Sequence, residues 1–89
     1  MMIQREVTIK NMAGLHTRPA ATLVKTAARF QSDFFIEKDG IEINGKSIIG
    51  VMTLAAEQGS TMTLRFDGVD EEEACTAILD LFERGFDEK

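Results

Sequence analysis

Two kinds of apolar spacing alternate along this chain of 89 residues, and the alternation restricts its fold more than any other feature of the sequence. Apolar residues recur at every second position from Ile3 to Ile9, where Arg5 is the one misfit, and again from Met62 to Phe66. This period predicts β-strands with one buried face. Residues 34–38 and 41–44 form two shorter strand-like runs. Four strands are therefore expected.

The two short runs are separated by Asp39 and Gly40. An Asp-Gly pair readily adopts the positive φ angles of a type I′ turn, whose twist matches that of paired strands. The sequence therefore predicts a tight β-hairpin at this point.

Helical spacing separates the strands and ends the chain. The first helix has Pro19 in its first turn, and its apolar positions are Ala20, Leu23, Val24, Ala27 and Phe30. In the last helix, Asp70 and Glu73 occupy capping-box positions, Gly85 ends the helix, and Phe86 is expected to fold back onto it. The apolar positions of this last helix are Ala74, Ala77, Ile78, Leu81 and Phe82.

A short second helix is predicted between Ser47 and Gly59, because the Ser47 hydroxyl can accept a hydrogen bond from a free first-turn amide. Gly50 weakens this helix. The positions expected to face the core are Val51, Leu54 and Ala55. The positions that extend the apolar arc outward are Ile48, Ile49, Met52 and Ala56. An arc of this width fits either a deeply buried helix or an exposed docking patch.

The predicted element order is βαββαβα, in one domain over residues 1–89. Because each strand has one apolar face, the simplest assembly is an α+β fold, an antiparallel sheet with its helices packed on one side. A ferredoxin-like arrangement satisfies the same patterning. The order of elements alone does not separate the two.

Charge and composition exclude several classes of function. A net charge of -5 provides no basic surface for a nucleic-acid backbone. No apolar run approaches the roughly 20 residues of a membrane span, and the N-terminus lacks a signal-peptide core, so a soluble cytoplasmic protein is expected. The single cysteine, Cys75, excludes an internal disulfide and a multi-thiolate metal site, and we expect a reduced, partly buried thiol. Neither a metal nor a cofactor is expected.

The one histidine, His16, stands where a glycine-containing loop meets the start of the first helix. A helix start presents free N–H groups, so the amides of Thr17 and Arg18 could meet an anion attached to His16, whereas Pro19 offers no amide. The Arg18 guanidinium could bind two phosphoryl oxygens. A neutral imidazole is a nucleophile. The residues favour an anion site about equally with an ordinary surface or capping histidine.

Two stretches of the sequence resemble motifs of one known family. The residues G-L-H-T-R-P-A, from Gly14 to Ala20, closely resemble the active-site signature of HPr, the histidine-containing phosphocarrier family. The residues N-G-K-S-I-I-G-V-M-T-L, from Asn44 to Leu54, resemble its regulatory-serine region, in the form found where that serine is a kinase substrate. The resemblance covers essentially the whole chain. It implies an open-faced β-sandwich, with three helices on one side of a four-stranded antiparallel sheet.

The resemblance also implies roles and partners within the phosphoenolpyruvate-dependent phosphotransferase system. His16 would be phosphorylated on a ring nitrogen by Enzyme I and dephosphorylated by a IIA domain, with Arg18 beside the phosphoryl group. Ser47 would be phosphorylated by the ATP-dependent HPr kinase/phosphorylase, which implies regulation of carbon use and a transcriptional regulator as a further partner. Thr17 and Ala13 depart from the residues common in the family.

The implied protein is a monomeric, stoichiometric phosphoryl carrier with a phosphohistidine intermediate, and not an enzyme. The resemblance favours docking as the role of the outer apolar arc, Ile48, Ile49, Met52 and Ala56. Two other functions remain open. One is a ferredoxin-like domain that senses a small molecule, in which His16 is incidental. The other is a carrier with a purely regulatory role and no sugar transport.

Overall fold

The computed structural model describes residues 2–88 as four strands and three helices in the predicted order. The strands are β1 (Ile3–Thr8), β2 (Asp33–Lys38), β3 (Ile41–Asn44) and β4 (Thr61–Asp67). The helices are α1 (Thr17–Ala27), α2 (Ile48–Thr53) and α3 (Glu71–Glu83), and a 3-10 turn follows at Gly85–Asp87. The hairpin between β2 and β3 is confirmed, since Asp39 and Gly40 have φ angles of 52° and 82°.

The strands form one antiparallel sheet in the order β1-β4-β2-β3. The last strand, β4, is inserted between β1 and β2 and pairs with both. A ferredoxin-like sheet would pair β1 with β3 in parallel, whereas here these two strands lie at opposite edges. The ferredoxin-like alternative is therefore wrong, and the α+β open-faced sandwich is confirmed.

One face of the sheet forms the core with the helices. Phe34 lies opposite Phe66 in the register, with ring centroids 4.9 Å apart, and Ile36 lies opposite Leu64. All four side chains are buried. Burying a side chain of this size contributes about 1.5–3 kcal/mol, so this four-residue layer is a large part of the driving force for folding. The opposite face of the sheet is polar and carries, among others, Thr8, Thr61 and Glu37.

The end of α3 follows the prediction, but its start does not. Gly85 has a φ of 60°, and Phe86 folds back so that its ring meets the Phe82 ring edge-on at 5.0 Å. The predicted capping box is wrong, because the Asp70 side chain makes no cap bond. Asp70 instead accepts hydrogen bonds from the loop before β2, and Glu71 accepts one from the Gly68 amide at 3.0 Å.

The second helix is shorter than predicted, and the residues on its exposed side are not all those predicted. It ends at Thr53 because Ala55 has a φ of 50°, which no right-handed helix accommodates. This turn reverses two predictions. Ala55, expected in the core, is exposed, and Ala56, expected on the docking face, is fully buried with its carbonyl bonded to the Leu15 amide at 2.9 Å. Ala56 is thus removed from the docking surface.

Candidate phosphoryl-transfer site

The structure places His16 at the position that precedes the first turn of α1. Its carbonyl accepts a hydrogen bond from the Ala20 amide at 2.8 Å, while its backbone is extended, with a φ of -94° and a ψ of -169°. The side chain is exposed, and within residues 2–88 it forms no capping bond to the helix. The imidazole is therefore available to solvent and to a partner, whereas its backbone is held by the helix.

The residues on either side of His16 anchor it. Leu15 is fully buried, and its amide donates to the Ala56 carbonyl at 2.9 Å. Gly14 has a φ of 68°, and a Cβ atom at this position would overlap the Ala56 carbonyl oxygen. Only glycine meets both requirements without strain. On the other side, Pro19 is buried in the first turn of α1. The exposed His16 side chain thus projects from a backbone that buried neighbours anchor on both sides.

Thr17 and Arg18 are the first two residues of α1, and both are exposed. Their amides belong to the first turn, where no preceding turn of helix supplies an acceptor. The first turn contains no acidic side chain that would compete for these donors. An anion carried by His16 would therefore meet free N–H groups and the positive end of the helix dipole, with the exposed Arg18 side chain two residues along the chain. The arrangement is that of an anion site with a nucleophile at its entrance.

Ser47 stands at the start of α2, as the sequence predicts. Its hydroxyl accepts a hydrogen bond from the Gly50 amide at 3.1 Å, so it caps the helix. Its own amide donates to the Asn44 carbonyl at 3.0 Å. The end of α2 adjoins the His16 loop through Ala56, so Ser47 lies at the far end of this helix from that loop. Because α2 has six residues that rise about 1.5 Å each, it separates Ser47 from the His16 loop by roughly 10 Å.

The outer side of α2 exposes the three remaining residues of the predicted arc. Ile48 is 38%, Ile49 77% and Met52 42% exposed, whereas Val51 on the opposite side is fully buried. We call Ile48, Ile49 and Met52 the apolar docking face. Apolar side chains grouped on one exposed surface are typical of protein contact sites.

Two further features of the surface are absent from the sequence predictions. Met12, on the loop before His16, is 78% exposed and adds a further apolar side chain next to the site. Arg18 and Lys25 lie two helical turns apart on the same side of α1, and Arg29 follows just beyond its end. Within residues 2–88 none of the three bases forms an ion pair. The spacing of these bases, seven residues and then four, places them on one side of a helix and was visible in the sequence.

Comparison with known proteins identifies the family to which this arrangement belongs. The family model for the PTS HPr component phosphorylation site matches residues 3–84. The chain belongs to the HPr family. The phosphocarrier protein HPr of Xylella fastidiosa is 47% identical over 87 residues, which cover 98% of each chain. The HPr-like protein Crh of Bacillus subtilis, also described as the catabolite repression HPr of that organism, is 49% identical over 73 residues, 82% of this chain and 86% of Crh.

A solved structure shows the same fold. A crystal structure of HPr from Thermoanaerobacter tengcongensis superimposes with a TM-score of 0.95 at 46% identity, over 98% of each chain. A second crystal structure from that organism shows an HPr dimer, with a TM-score of 0.77. The family that this chain belongs to is thus that of the HPr phosphocarriers of the phosphotransferase system.

The remaining chemically reactive groups lie away from this site. Burial raises the pKa of the Cys75 thiol, although the nearby Arg5 charge acts in the opposite direction, so the thiol stays protonated and packs in the core. In the described part of the chain, no three His, Cys, Asp or Glu side chains are grouped to hold a metal ion. None of the helices formed by these residues is long and apolar enough to cross a membrane.

Proposed function

We propose that this protein accepts a phosphoryl group on a ring nitrogen of His16 from Enzyme I and passes it to a IIA domain. One observation carries the proposal. The exposed imidazole of His16 precedes the free amides of Thr17 and Arg18, on a backbone anchored by buried neighbours. This is the arrangement that phosphoryl transfer between two proteins requires, because the acceptor must be accessible while the oxygens need fixed donors.

The transfer needs no cofactor. The lone pair of a ring nitrogen of neutral His16 attacks phosphorus, a new N–P bond forms, and the bond to the donor's phosphorylated histidine breaks. The electron pair of the broken bond stays on the donor imidazole. The first-turn amides and Arg18 stabilise the negative oxygens on His16, and transfer to the IIA domain repeats the same exchange in the other direction. The protein would then be regenerated and act as a stoichiometric carrier, not as an enzyme.

The surface around the site supports docking to acidic partners. The apolar docking face and Met12 offer exposed apolar surface that a partner can bury. Arg18, Lys25 and Arg29 provide positive charge, and none of them forms an ion pair within residues 2–88. In a protein with a net charge of -5, three bases on one side of the molecule steer negatively charged partners to that side, although Asp87 and Glu88 line the same cavity as Arg18. We assign this surface to Enzyme I and IIA domains, and to an HPr kinase/phosphorylase that modifies Ser47.

Incubation with Enzyme I and phosphoenolpyruvate, followed by mass analysis, tests the proposal. The wild type should gain one phosphoryl group that is stable in base and lost in acid, as expected for phosphohistidine. His16→Ala should gain none, while its circular dichroism spectrum stays unchanged because the side chain is exposed. Thr17→Ala is the matched control: it keeps the amide and should still be phosphorylated. Phosphorylation of His16→Ala under the same conditions would overturn the assignment.

The similarity to Crh supports a second candidate, a regulatory carrier with no sugar transport. A relative described as a catabolite repression HPr is 49% identical over 73 residues, so sequence likeness alone does not favour transport over regulation. Phosphorylated protein mixed with purified IIA domains separates the two. Transfer to a sugar-specific IIA domain supports the transport role, whereas the absence of transfer to any sugar-specific IIA domain supports the regulatory role. Such a carrier would act in the cytoplasm as a monomer. Measuring the molar mass of the protein in solution tests whether it is monomeric.

A further inference from the structure

The loop before His16 contains a buried polar side chain that the proposed transfer reaction does not use. Asn11 is 4% exposed, and its side-chain nitrogen, Nδ2, donates to the Gly14 carbonyl and to Glu88 Oε1, both at 2.9 Å. These two acceptors fix the orientation of the amide. If the group were flipped, its oxygen would face two acceptors and could not donate to either. That oxygen, Oδ1, is buried with no hydrogen-bond partner among the described residues. An unpartnered buried oxygen opposes folding.

The hydrogen bonds of Asn11 hold one peptide group of the loop in place, although Oδ1 is left without a partner among the described residues. The peptide group between Gly14 and Leu15 is held at both ends: Asn11 Nδ2 binds its oxygen at 2.9 Å, and the Ala56 carbonyl binds its N–H at 2.9 Å. The Asn11 carbonyl also accepts from the Gly14 amide at 3.2 Å, which closes the loop. This peptide group comes directly before the Cα of Leu15, so its orientation determines how the chain enters His16.

We infer that Asn11 is a positioning residue for phosphoryl transfer, which it promotes by holding the Gly14–Leu15 peptide group between two hydrogen-bonding partners. The reactive ring and the receiving amides of Thr17 and Arg18 lie on consecutive residues, so a rotation of this peptide changes the position of the nucleophile relative to its donors. Small displacements of this kind reduce rates without weakening substrate binding. The docking face is on α2, whereas both side-chain hydrogen bonds of Asn11 go to residues outside that helix, Gly14 and Glu88. The inference rests on the proposed function of His16.

Two substitutions at Asn11 and one control separate this role from a structural one. Asn11→Ala removes both side-chain hydrogen bonds. Asn11→Asp keeps the volume and replaces the donor by an acceptor that faces the Gly14 carbonyl. Glu88→Ala is the matched control, because it removes one partner of Asn11 and leaves the bond to Gly14. Kinetics with Enzyme I give kcat and KM for each variant as the acceptor. Phosphoramidate, a small phosphoryl donor, measures the reactivity of His16 with no docking step.

For Asn11→Ala and Asn11→Asp, we expect kcat with Enzyme I to fall about tenfold with KM changed less than twofold, and phosphorylation by phosphoramidate to fall severalfold. Hydrogen exchange of the Leu15 amide should become faster, while exchange in β4 stays unchanged. Glu88→Ala should remain within twofold of the wild type. Unchanged kcat in both Asn11 variants, or a loss confined to KM, would overturn the inference. Failure of the wild type to accept phosphate from Enzyme I would instead overturn the proposed function, and the phosphoramidate and exchange measurements would still test Asn11.

Discussion

At the scale of single residues, the proposed phosphoryl transfer uses side chains that contribute little to the stability of the fold. His16 and Arg18 are exposed, whereas their neighbours Leu15 and Pro19 are buried and hold the backbone in place. Reactivity and anchoring are thus divided between adjacent residues. A substitution of an exposed member should change transfer rates and leave the melting temperature nearly unchanged.

Arg18→Ala should slow phosphoryl transfer to and from His16 by roughly tenfold without abolishing it. The guanidinium adds a charge-assisted fork, and the loss of about 1.4 kcal/mol of such stabilisation lowers the rate tenfold, while the helix amides still bind the oxygens. Arg18→Lys should be intermediate, because it keeps the charge and loses the planar fork. Initial rates with Enzyme I and with a IIA domain measure the effect. Equal rates for all three proteins in both directions would remove Arg18 from the site.

Ala55→Gly should stabilise the protein by about 0.5–1 kcal/mol, because an alanine at a φ of 50° is strained and glycine is not. Ala55 is exposed, so no packing is lost. For a domain of this size, the melting temperature should rise by about 3–5 °C. Ala21→Gly, at an exposed position inside α1, is the control and should lower stability by about 1 kcal/mol. A lower melting temperature for Ala55→Gly would show that the strain is absent.

At the scale of secondary-structure elements, the six residues of α2 contribute to the core on one side and to the proposed docking surface on the other. Its inner side packs Val51 in the core, and its outer side carries the apolar docking face. Ser47 caps the start of this helix beside Ile48 and Ile49. A phosphate on Ser47 would add roughly two negative charges at the edge of the docking face. Because Ser47 and the His16 loop are at opposite ends of α2, we expect the modification to act on docking and not on the His16 ring directly.

Substitutions of Ser47 separate its capping role from the effect of charge. Ser47→Ala should lower the free energy of unfolding by about 1 kcal/mol and leave the transfer rate unchanged. Asp and Asn cap helices about as well as Ser, so Ser47→Asp and Ser47→Asn should both keep most of the stability. Only Ser47→Asp should slow phosphorylation of His16 by Enzyme I, through a higher KM. Equal rates for the Asp and Asn variants would leave Ser47 as a helix cap alone.

At the scale of the whole molecule, Asp70 joins two loops that are 38 residues apart in the chain. Its carboxylate accepts the Ser32 hydroxyl at 2.5 Å and the backbone amides of Gln31 and Ser32 at 2.9 Å. Gly68, which follows β4, packs so closely on Ser32 that a Cβ atom would overlap it. The connection between α1 and β2 is thereby fixed to the connection between β4 and α3.

This network makes part of the stability dependent on pH. The Ser32 hydroxyl, followed by the backbone amide of Gln31, lowers the pKa of the Asp70 carboxyl below its ordinary value of 3.8. A lowered pKa in the folded state adds stability that is complete above the unfolded-state pKa and lost as pH falls through the folded-state pKa. The stability difference between wild type and Asp70→Asn should therefore be constant from pH 7 to about 5 and shrink below about pH 4.

Urea unfolding of both proteins between pH 2.5 and 7 measures this difference. Repeating the comparison in a Ser32→Ala background removes the largest cause of the lowered pKa, so the pH-dependent part should become smaller. The same pH dependence with and without Ser32 would show that the hydroxyl has no such effect.

Much of this protein was predictable from local patterns in the sequence. The alternation of apolar residues predicted the strands, because a side chain in a strand faces one side at every second position. Asp39 and Gly40 predicted the hairpin from their own backbone preferences. The His16 motif combined a nucleophile, a helix start and an arginine within three residues, so their proximity required no tertiary information. The resemblance of two motifs to the HPr family supplied what the patterns alone left undecided.

Tertiary structure decided whatever depends on contacts between distant residues. The insertion of β4 between β1 and β2 excluded the ferredoxin-like sheet, since both topologies bury the same alternating faces. The contact of Ala56 with Leu15 buried a side chain predicted to be exposed, because the chain turns at Ala55 and the helical wheel no longer applies. Asp70 has a capping-box pattern, but its carboxylate accepts three hydrogen bonds from Gln31 and Ser32, which lie far away in the chain, and none from the helix start. Asn11 gave no signal in the sequence, because its importance lies in the two acceptors that the fold brings to its amide nitrogen.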